Sequence, residues 1–195
     1  RNADIGLFTN PSTFKTPRLS MFYQSIIALM LILAVPAGWA EESSSALENS
    51  HPSVLKADRL IVKKEARVLI VMRESRVLYR FNIALGGAPE GDKLEEGDWR
   101  TPEGRYIIDW RNPHSRFYKA LHISYPSPLD KKASAAEGVD PGGMIMIHGY
   151  PPEAETNPEK YEGKDWTNGC IALNNEDMDI LCESIDDGTP IEIYP

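Results

Sequence analysis

The amino-acid sequence predicts a mostly β domain, a sandwich or partly closed barrel with accessory helices. Three observations carry that prediction. Short runs rich in Val, Ile, Leu, Tyr and Phe recur from residue 59 to the end of the sequence. Polar segments containing Gly and Pro separate them. Helical periodicity is confined to short stretches beyond residue 128. At 195 residues there is room for one domain with a sizeable core, plus a leader.

The N-terminal residues stand apart. Ile26 to Val35 is an unbroken apolar run of ten residues. That is too short to cross a bilayer and matches the core of a secretory signal peptide better than a membrane anchor or a core helix. Pro36 ends the run, and Gly38 and Ala40 place small residues at the −3 and −1 positions of a cleavage site. Residues 1–40 are therefore expected to be a leader with a signal peptide, and the protein to be exported, to the periplasm in a Gram-negative cell. Residues 41–56, with the stretch EESSSALENSHPS, are polar and expected to form a flexible linker. The folded domain is expected over 57–195, with no stable membrane span after leader removal.

Within that domain, RLIVKKEARVLIVMRESRVLYRFNIALGG (59–87) holds two or three strands, broken at Lys63–Ala66 and Arg73–Arg76 as in a meander. The segment 86–104 carries five glycines and two prolines and is expected to be a loop. Further strands are expected at GRYIIDW (104–110), YKALHIS (118–124), GMIMIHG (143–149) and TPIEIYP (189–195), with RNPHSRF between the first two as loop. PLDKKASAAEGVDPGG (128–143) holds one short helix ending near Gly138. A second helix follows Asn174 or Asn175 as N-cap, with Glu176 and Asp177 at the positive end of its dipole and Gly188 as terminator. Met178, Leu181, Cys182 and Ile185 repeat on one face of it, so Cys182 is expected to pack inward. Spacing alone leaves a Cys170–Cys182 disulfide open.

The formal charge is −8, and residues 1–40 contribute +2, leaving −10 for the remainder. This argues against nucleic acid or an anionic membrane surface as a partner, since both want clustered Lys and Arg. No G-x-S-x-G, phosphate loop or dinucleotide fingerprint is present. A zinc site drawn from His122, His148, Cys170 and Cys182 lacks any closely spaced ligand pair, so no metal and no cofactor is expected. His51 and His114 fall in linker and loop, and the adjacent carboxylates Glu95-Glu96 and Asp186-Asp187 are expected to be solvated.

Chemistry concentrates in DWTNGCIALNN (165–175). A structural cysteine usually sits inside an apolar run, whereas Cys170 follows the turn-forming Thr167, Asn168 and Gly169. A thiolate nucleophile needs a base or cation beside the sulfur. His148 closes the run MIMIH, twenty-two positions upstream, and the excursion between them suits a pocket wall. Backbone N–H groups around Asn168, Gly169 and Cys170 are placed to meet a developing oxyanion. A strand-terminal histidine is often purely structural, and the spacing by itself leaves both readings open.

The motif Ile-His-Gly, then about twenty residues, then Thr-x-Gly-Cys-Ile resembles the signature of the L,D-transpeptidase (YkuD-type) catalytic domain of bacterial cell-wall enzymes, in its murein L,D-transpeptidase-like subgroup. TPEGRYII (101–108), the opening strands and the closing DGTPIEIY are also similar to that family, so the resemblance spans roughly 57–195. It implies Cys170 as nucleophile, His148 as base, the Gly149 carbonyl as holder of the imidazole tautomer, and Thr167, Asn168 and Gly169 as the oxyanion and substrate-binding segment. Two positions depart from the family's usual pattern. Asn168 stands where most members have histidine, and Ala172 where most have arginine. The Asn168 amide retains a donor; the loss at 172 removes a carboxylate or loop contact.

The implied reaction is acyl transfer on peptidoglycan stem peptides through a Cys170 thioester, resolved by an amine of a second stem or of a lipoprotein. Attack by water would make the same site a hydrolase: an L,D-carboxypeptidase, or an amidase that cleaves cross-links or releases lipoprotein. A non-catalytic wall-binding module is the competing reading of another class.

Overall fold

The structure, a computed structural model, describes residues 55–195, so the leader and the linker up to residue 54 lie outside the described residues. The chain first makes an antiparallel meander, β1 (Arg59–Lys63), β2 (Val68–Arg73) and β3 (Arg76–Asn82). Leu60 and Val62 alternate inward along β1 while Lys63 faces solvent, the period-two pattern of a half-buried strand. After the loop 86–104 come β4 (Gly104–Ser115), β5 (Tyr118–Ile123), β6 (Met146–His148) and β7 (Ile171–Ala172). The last strand, β8 (Pro190–Tyr194), inserts between β1 and β4, parallel to the first and antiparallel to the second. Its Ile191 and Ile193 pair with Leu60 and Val62, so four buried side chains lock that register.

The result is one eight-stranded sheet in the order β3-β2-β1-β8-β4-β5-β6-β7. It is mostly β, as expected, and of the two architectures expected it is a curled half-barrel rather than a sandwich. Its ends meet: Ala84 bridges Ala172 and Gly86 bridges Thr167, just beyond β3 and on either side of Cys170.

Two α-helices accompany the sheet among the described residues. α1 (Pro128–Glu137) starts on a capping box made by Ser127 and Asp130, has Pro128 in its first turn, and ends at Gly138 with φ +72°. α2 (Asn175–Ser184) is capped by Asn174, whose side chain accepts from the Asp177 N–H. It buries Met178 and Leu181 completely, worth about 1.5–3 kcal/mol each. Cys182 packs against the same core, and both cysteines are free thiols. No helix among the described residues is long and apolar enough to cross a membrane.

Four local expectations are corrected. RNPHSRF is largely strand, because β4 runs to Ser115; register shifts after Ile108 and Asn112 let it bend and accommodate Pro113, which has no N–H for the ladder. The strand expected over 143–149 shrinks to Met146–His148. α2 stops at Ser184, since Ile185 is already extended and buried in the core, and Gly188 (φ +93°) serves the turn into β8 instead. Lys64, which looked like part of a polar break, is 2% exposed. Its ammonium donates to the Gly91 and Thr101 carbonyls at 2.6 and 2.8 Å and pairs with Glu103 at 2.8 Å.

That lysine anchors the loop 86–104 to the sheet, and removing one partner of a buried pair strands the other. Lys64→Ala should lower the free energy of urea unfolding by about 2–4 kcal/mol. Lys63→Ala, one residue away and exposed, should change it by less than about 0.5 kcal/mol. Equal effects at the two positions would refute the anchoring role.

Candidate active site

Cys170 is held by the turn that precedes β7. The Thr167 hydroxyl donates to the Cys170 carbonyl at 2.7 Å and accepts from the Gly169 N–H at 3.1 Å, which closes the turn internally. Gly169 has φ +124°, and a Cβ there would stand 2.6 Å from the Arg100 carbonyl oxygen, so only glycine fits. Asp165 fixes the approach to this turn. Its carboxylate takes the Arg67 guanidinium through two nitrogens, at 2.9 and 2.7 Å, and accepts from the Leu85 N–H at 2.8 Å.

His148 ends β6. Registers Ala120↔His148 and His148↔Ala172 put these residues side by side in the sheet, and Cys170 directly precedes β7, the strand paired with β6. The Met146 N–H donates to the Cys170 sulfur at 3.4 Å. His148 Nδ1 lies 2.7 Å from the Gly149 carbonyl oxygen. A carbonyl only accepts, so Nδ1 carries the proton and Nε2 keeps its lone pair. Gly149 must lack a side chain, since a Cβ would stand 2.5 Å from Asn175 Oδ1 and 2.9 Å from Tyr118 Cβ. Asn175 in turn accepts from the Tyr150 N–H at 2.8 Å, so the first residue of α2 pins the backbone beyond the histidine.

Aromatic side chains surround the imidazole. Phe117 stacks on it with centroids 4.6 Å apart, and Trp166 meets it edge-on at 5.6 Å. Tyr161 and Tyr150 pack behind Trp166. The Trp166 indole N–H is buried without an acceptor among the described residues, a cost of about 1–3 kcal/mol that the packing of this cluster must offset. Burial in this setting pushes the His148 pKa below its ordinary value, opposed by the Gly149 hydrogen bond and reinforced by the Arg116 charge. Burial also pushes the Cys170 thiol up, with the Met146 N–H and the Lys93 charge pulling weakly the other way. Both groups are therefore neutral at rest near pH 7.

The two residues open into one cavity of about 570 Å³. Its far wall is the loop 86–104, expected from sequence only as a loop. There Asp98 accepts from the Leu94, Glu95 and Arg100 N–H groups and pairs with the buried Lys93 at 2.7 Å. Trp99 and Met144 stand exposed at the rim, both with positive φ.

Of the residues singled out from sequence, Cys170, His148, Thr167 and Asn168 line this cavity. Asn168 is exposed there. Thr167 and Gly169 are buried and spend the hydroxyl and the N–H on each other, which makes them builders of the turn rather than groups open to a ligand. Ala172 is fully buried beside His148. His122 sits apart, paired with Asp109 at 2.6 Å and stacked on Trp110. Sequence reasoning missed Arg116, Phe117, Trp166 and Lys93. The available signal was aromatic: Trp166 directly precedes Thr-x-Gly-Cys, and Phe117 lies in a segment read as loop.

Comparison with known proteins identifies the family. Residues 57–193 match the family model of the L,D-transpeptidase catalytic domain, YkuD. YafK of Escherichia coli K12, provisionally named an L,D-transpeptidase, is 30% identical over 190 residues, covering 87% of this chain and 69% of YafK. YqjB of Bacillus subtilis, provisionally named likewise, is 30% identical over 138 residues, 69% of each chain. Among solved structures, the helical cell shape determining protein Pgp2 from Campylobacter jejuni superposes with a TM-score of 0.55 at 27% identity, over 72% of this chain. This chain spans about half of the Pgp2 chain, 50%. With the family matched across nearly all of the described residues, the chain belongs to the L,D-transpeptidase (YkuD) family.

Proposed function

We propose that this protein is an exported cysteine acyltransferase that acts on peptidoglycan stem peptides by L,D-transpeptidation. The observation that carries the proposal is that Cys170 and His148 line one cavity, with the histidine's Nδ1 tied to the Gly149 carbonyl. That bond leaves Nε2 as the basic nitrogen, as a general base requires.

Because thiol and imidazole are both neutral at rest, the proton moves when the substrate is attacked. Nε2 takes the Cys170 proton as sulfur bonds to the carbonyl carbon of the L-centre. The negative charge on oxygen is met by N–H donors of the Asn168–Cys170 segment; the Gly169 N–H is committed to Thr167, which leaves those of Asn168 and Cys170. The C–N bond then breaks, the imidazolium returns its proton to the leaving amine, and a thioester remains. An amine acceptor attacks the thioester, gives its proton to Nε2, and regenerates the thiol. Export follows from the substrate's location and from the leader expected over residues 1–40.

A carbapenem-type acylating agent should add one adduct mass to the purified protein and none to Cys170→Ala, measured by intact mass. Addition to Cys170→Ala would locate the chemistry elsewhere. Incubated with tetrapeptide muropeptides and an amine acceptor, the protein should form cross-linked product; tripeptide alone would make it a hydrolase.

The acylation rate should need neutral His148, so its acid limb should be centred below the ordinary histidine value of 6.5. A limb centred above 7 would mean that the buried imidazole is not the base. Thr167→Val keeps the shape and removes both hydroxyl bonds. It should cost about 1–2 kcal/mol of stability and slow acylation at least about tenfold. Unchanged acylation would show that the turn needs no such tie.

A further inference from the structure

β6 ends at His148, and the peptide unit joining His148 to Gly149 is still held by the sheet. The His148 carbonyl accepts from the Leu173 N–H at 2.9 Å, and the Gly149 N–H donates to the Lys119 carbonyl at 3.1 Å. The next unit, Gly149–Tyr150, has left the ladder and makes no backbone hydrogen bond among the described residues. Its carbonyl meets His148 Nδ1 at 2.7 Å, and its N–H donates to Asn175 Oδ1 at 2.8 Å. In a trans peptide the C=O and N–H point in opposite directions. One peptide unit is therefore clamped between the imidazole on one side and Asn175 on the other.

Nothing else fixes the plane of that unit. Asn175, Tyr118 and the Phe117 carbonyl occupy the space a Cβ would need, so residue 149 must be glycine. Glycine in turn offers no steric restraint on the orientation of the peptide that follows it. With Asn175 removed, the Tyr150 N–H loses its partner, and turning the unit to find water carries the carbonyl off Nδ1. Asn175 is half-buried, opens α2 beside the N-cap Asn174, and is not part of the cavity wall. Its route to the imidazole runs through this one peptide unit.

We propose that Asn175 is a positioning residue for the base: by holding the Gly149–Tyr150 peptide it keeps the Gly149 carbonyl on Nδ1–H and so leaves Nε2 free for the Cys170 proton. This rests on the acyl-transfer function proposed above and adds to it a residue outside the cavity. The bond has a second effect. An N–H that donates polarises its own carbonyl, so Asn175 also strengthens the grip of that carbonyl on Nδ1–H. The Gly149 bond raises the basicity of His148 against burial, whereas the Arg116 charge from the β4–β5 turn lowers it. Burial holds the Cys170 thiol and the Tyr150 phenol in their neutral forms near pH 7. Asn175 is itself neutral and acts by direction rather than by charge.

The test compares Asn175→Ala, Asn175→Asp and Asn174→Ala with the wild-type chain. Nitrogen NMR of the His148 ring reads its tautomer and its titration midpoint, and intact mass follows the rate of acylation by a carbapenem-type agent. Wild type should hold the proton on Nδ1. Asn175→Ala should move part of it to Nε2, lower the midpoint and slow acylation about tenfold or more. Asn175→Asp keeps an oxygen acceptor for the Tyr150 N–H and adds negative charge, so it should keep the tautomer, raise the midpoint above wild type and restore most of the rate. Asn174→Ala removes the helix cap without touching the peptide unit. It should lower the melting temperature by about 3–8 °C and leave tautomer and midpoint unchanged. A wild-type tautomer and midpoint in Asn175→Ala overturn the proposal, as does an Asn175→Asp protein that matches Asn175→Ala. If Asn175→Ala fails to fold, Asn175→Asp decides: a midpoint at or below wild type overturns it. No adduct on the wild-type protein would instead sink the acyl-transfer function, and the NMR readouts then decide the role of Asn175 by the same criteria.

Discussion

Backbone hydrogen bonds join the two ends of the curled sheet, and the Cys170 turn is held between them. Ala84 and Ala172 exchange bonds at 2.9 and 2.8 Å, Thr167 donates to Leu85 at 3.1 Å, and Gly87 donates to Thr167 at 3.0 Å. Each is worth only about 0.5–1.5 kcal/mol net, yet an unpaired strand edge here would cost more and leave the thiol without a fixed position. The closure brings backbones so close that glycine is required on both sides. A Cβ at Gly86 would stand 2.0 Å from the Trp99 carbonyl oxygen, and one at Gly169 would meet the Arg100 carbonyl. The same contacts that close the half-barrel therefore place the loop 86–104 directly against the Cys170 turn.

That loop has no regular secondary structure, and its rigidity comes from buried charge. Lys64 enters it from the end of β1, Lys93 stays within it, and both find carbonyls and a carboxylate. Burying an ammonium costs several kcal/mol before pairing, so these residues contribute a unique loop conformation more than net stability. The return is a wall rigid enough to define a cavity opposite His148.

Burial governs the chemistry on the other side. Phe117 and Trp166 enclose the imidazole, and the same low-polarity setting raises the thiol. A permanent thiolate–imidazolium pair is disfavoured there. Thiol and imidazole both stay neutral instead, with the Gly149 carbonyl setting the imidazole tautomer and the Met146 N–H meeting the sulfur.

Local sequence determined much of this protein. Alternation in Leu60, Val62, Ile191 and Ile193, the caps at Ser127 and Asn174, and the isolation of Cys170 behind Thr-Asn-Gly are all decided by residues within a few positions of one another. Spacing placed His148 at a strand end for the same reason. Tertiary structure decided what depends on distant partners. Lys64 looks solvated until the Gly91 and Thr101 carbonyls arrive, Gly188 looks like a helix stop until Ile185 finds the core, and Ile171–Ala172 pairs as a strand only because β6 and Ala84 flank it. The aromatic enclosure of His148 draws on residues 117, 148, 150, 161 and 166, which no local pattern links. Periodicity records which side of an element is buried; only the closed sheet brings its partners within reach.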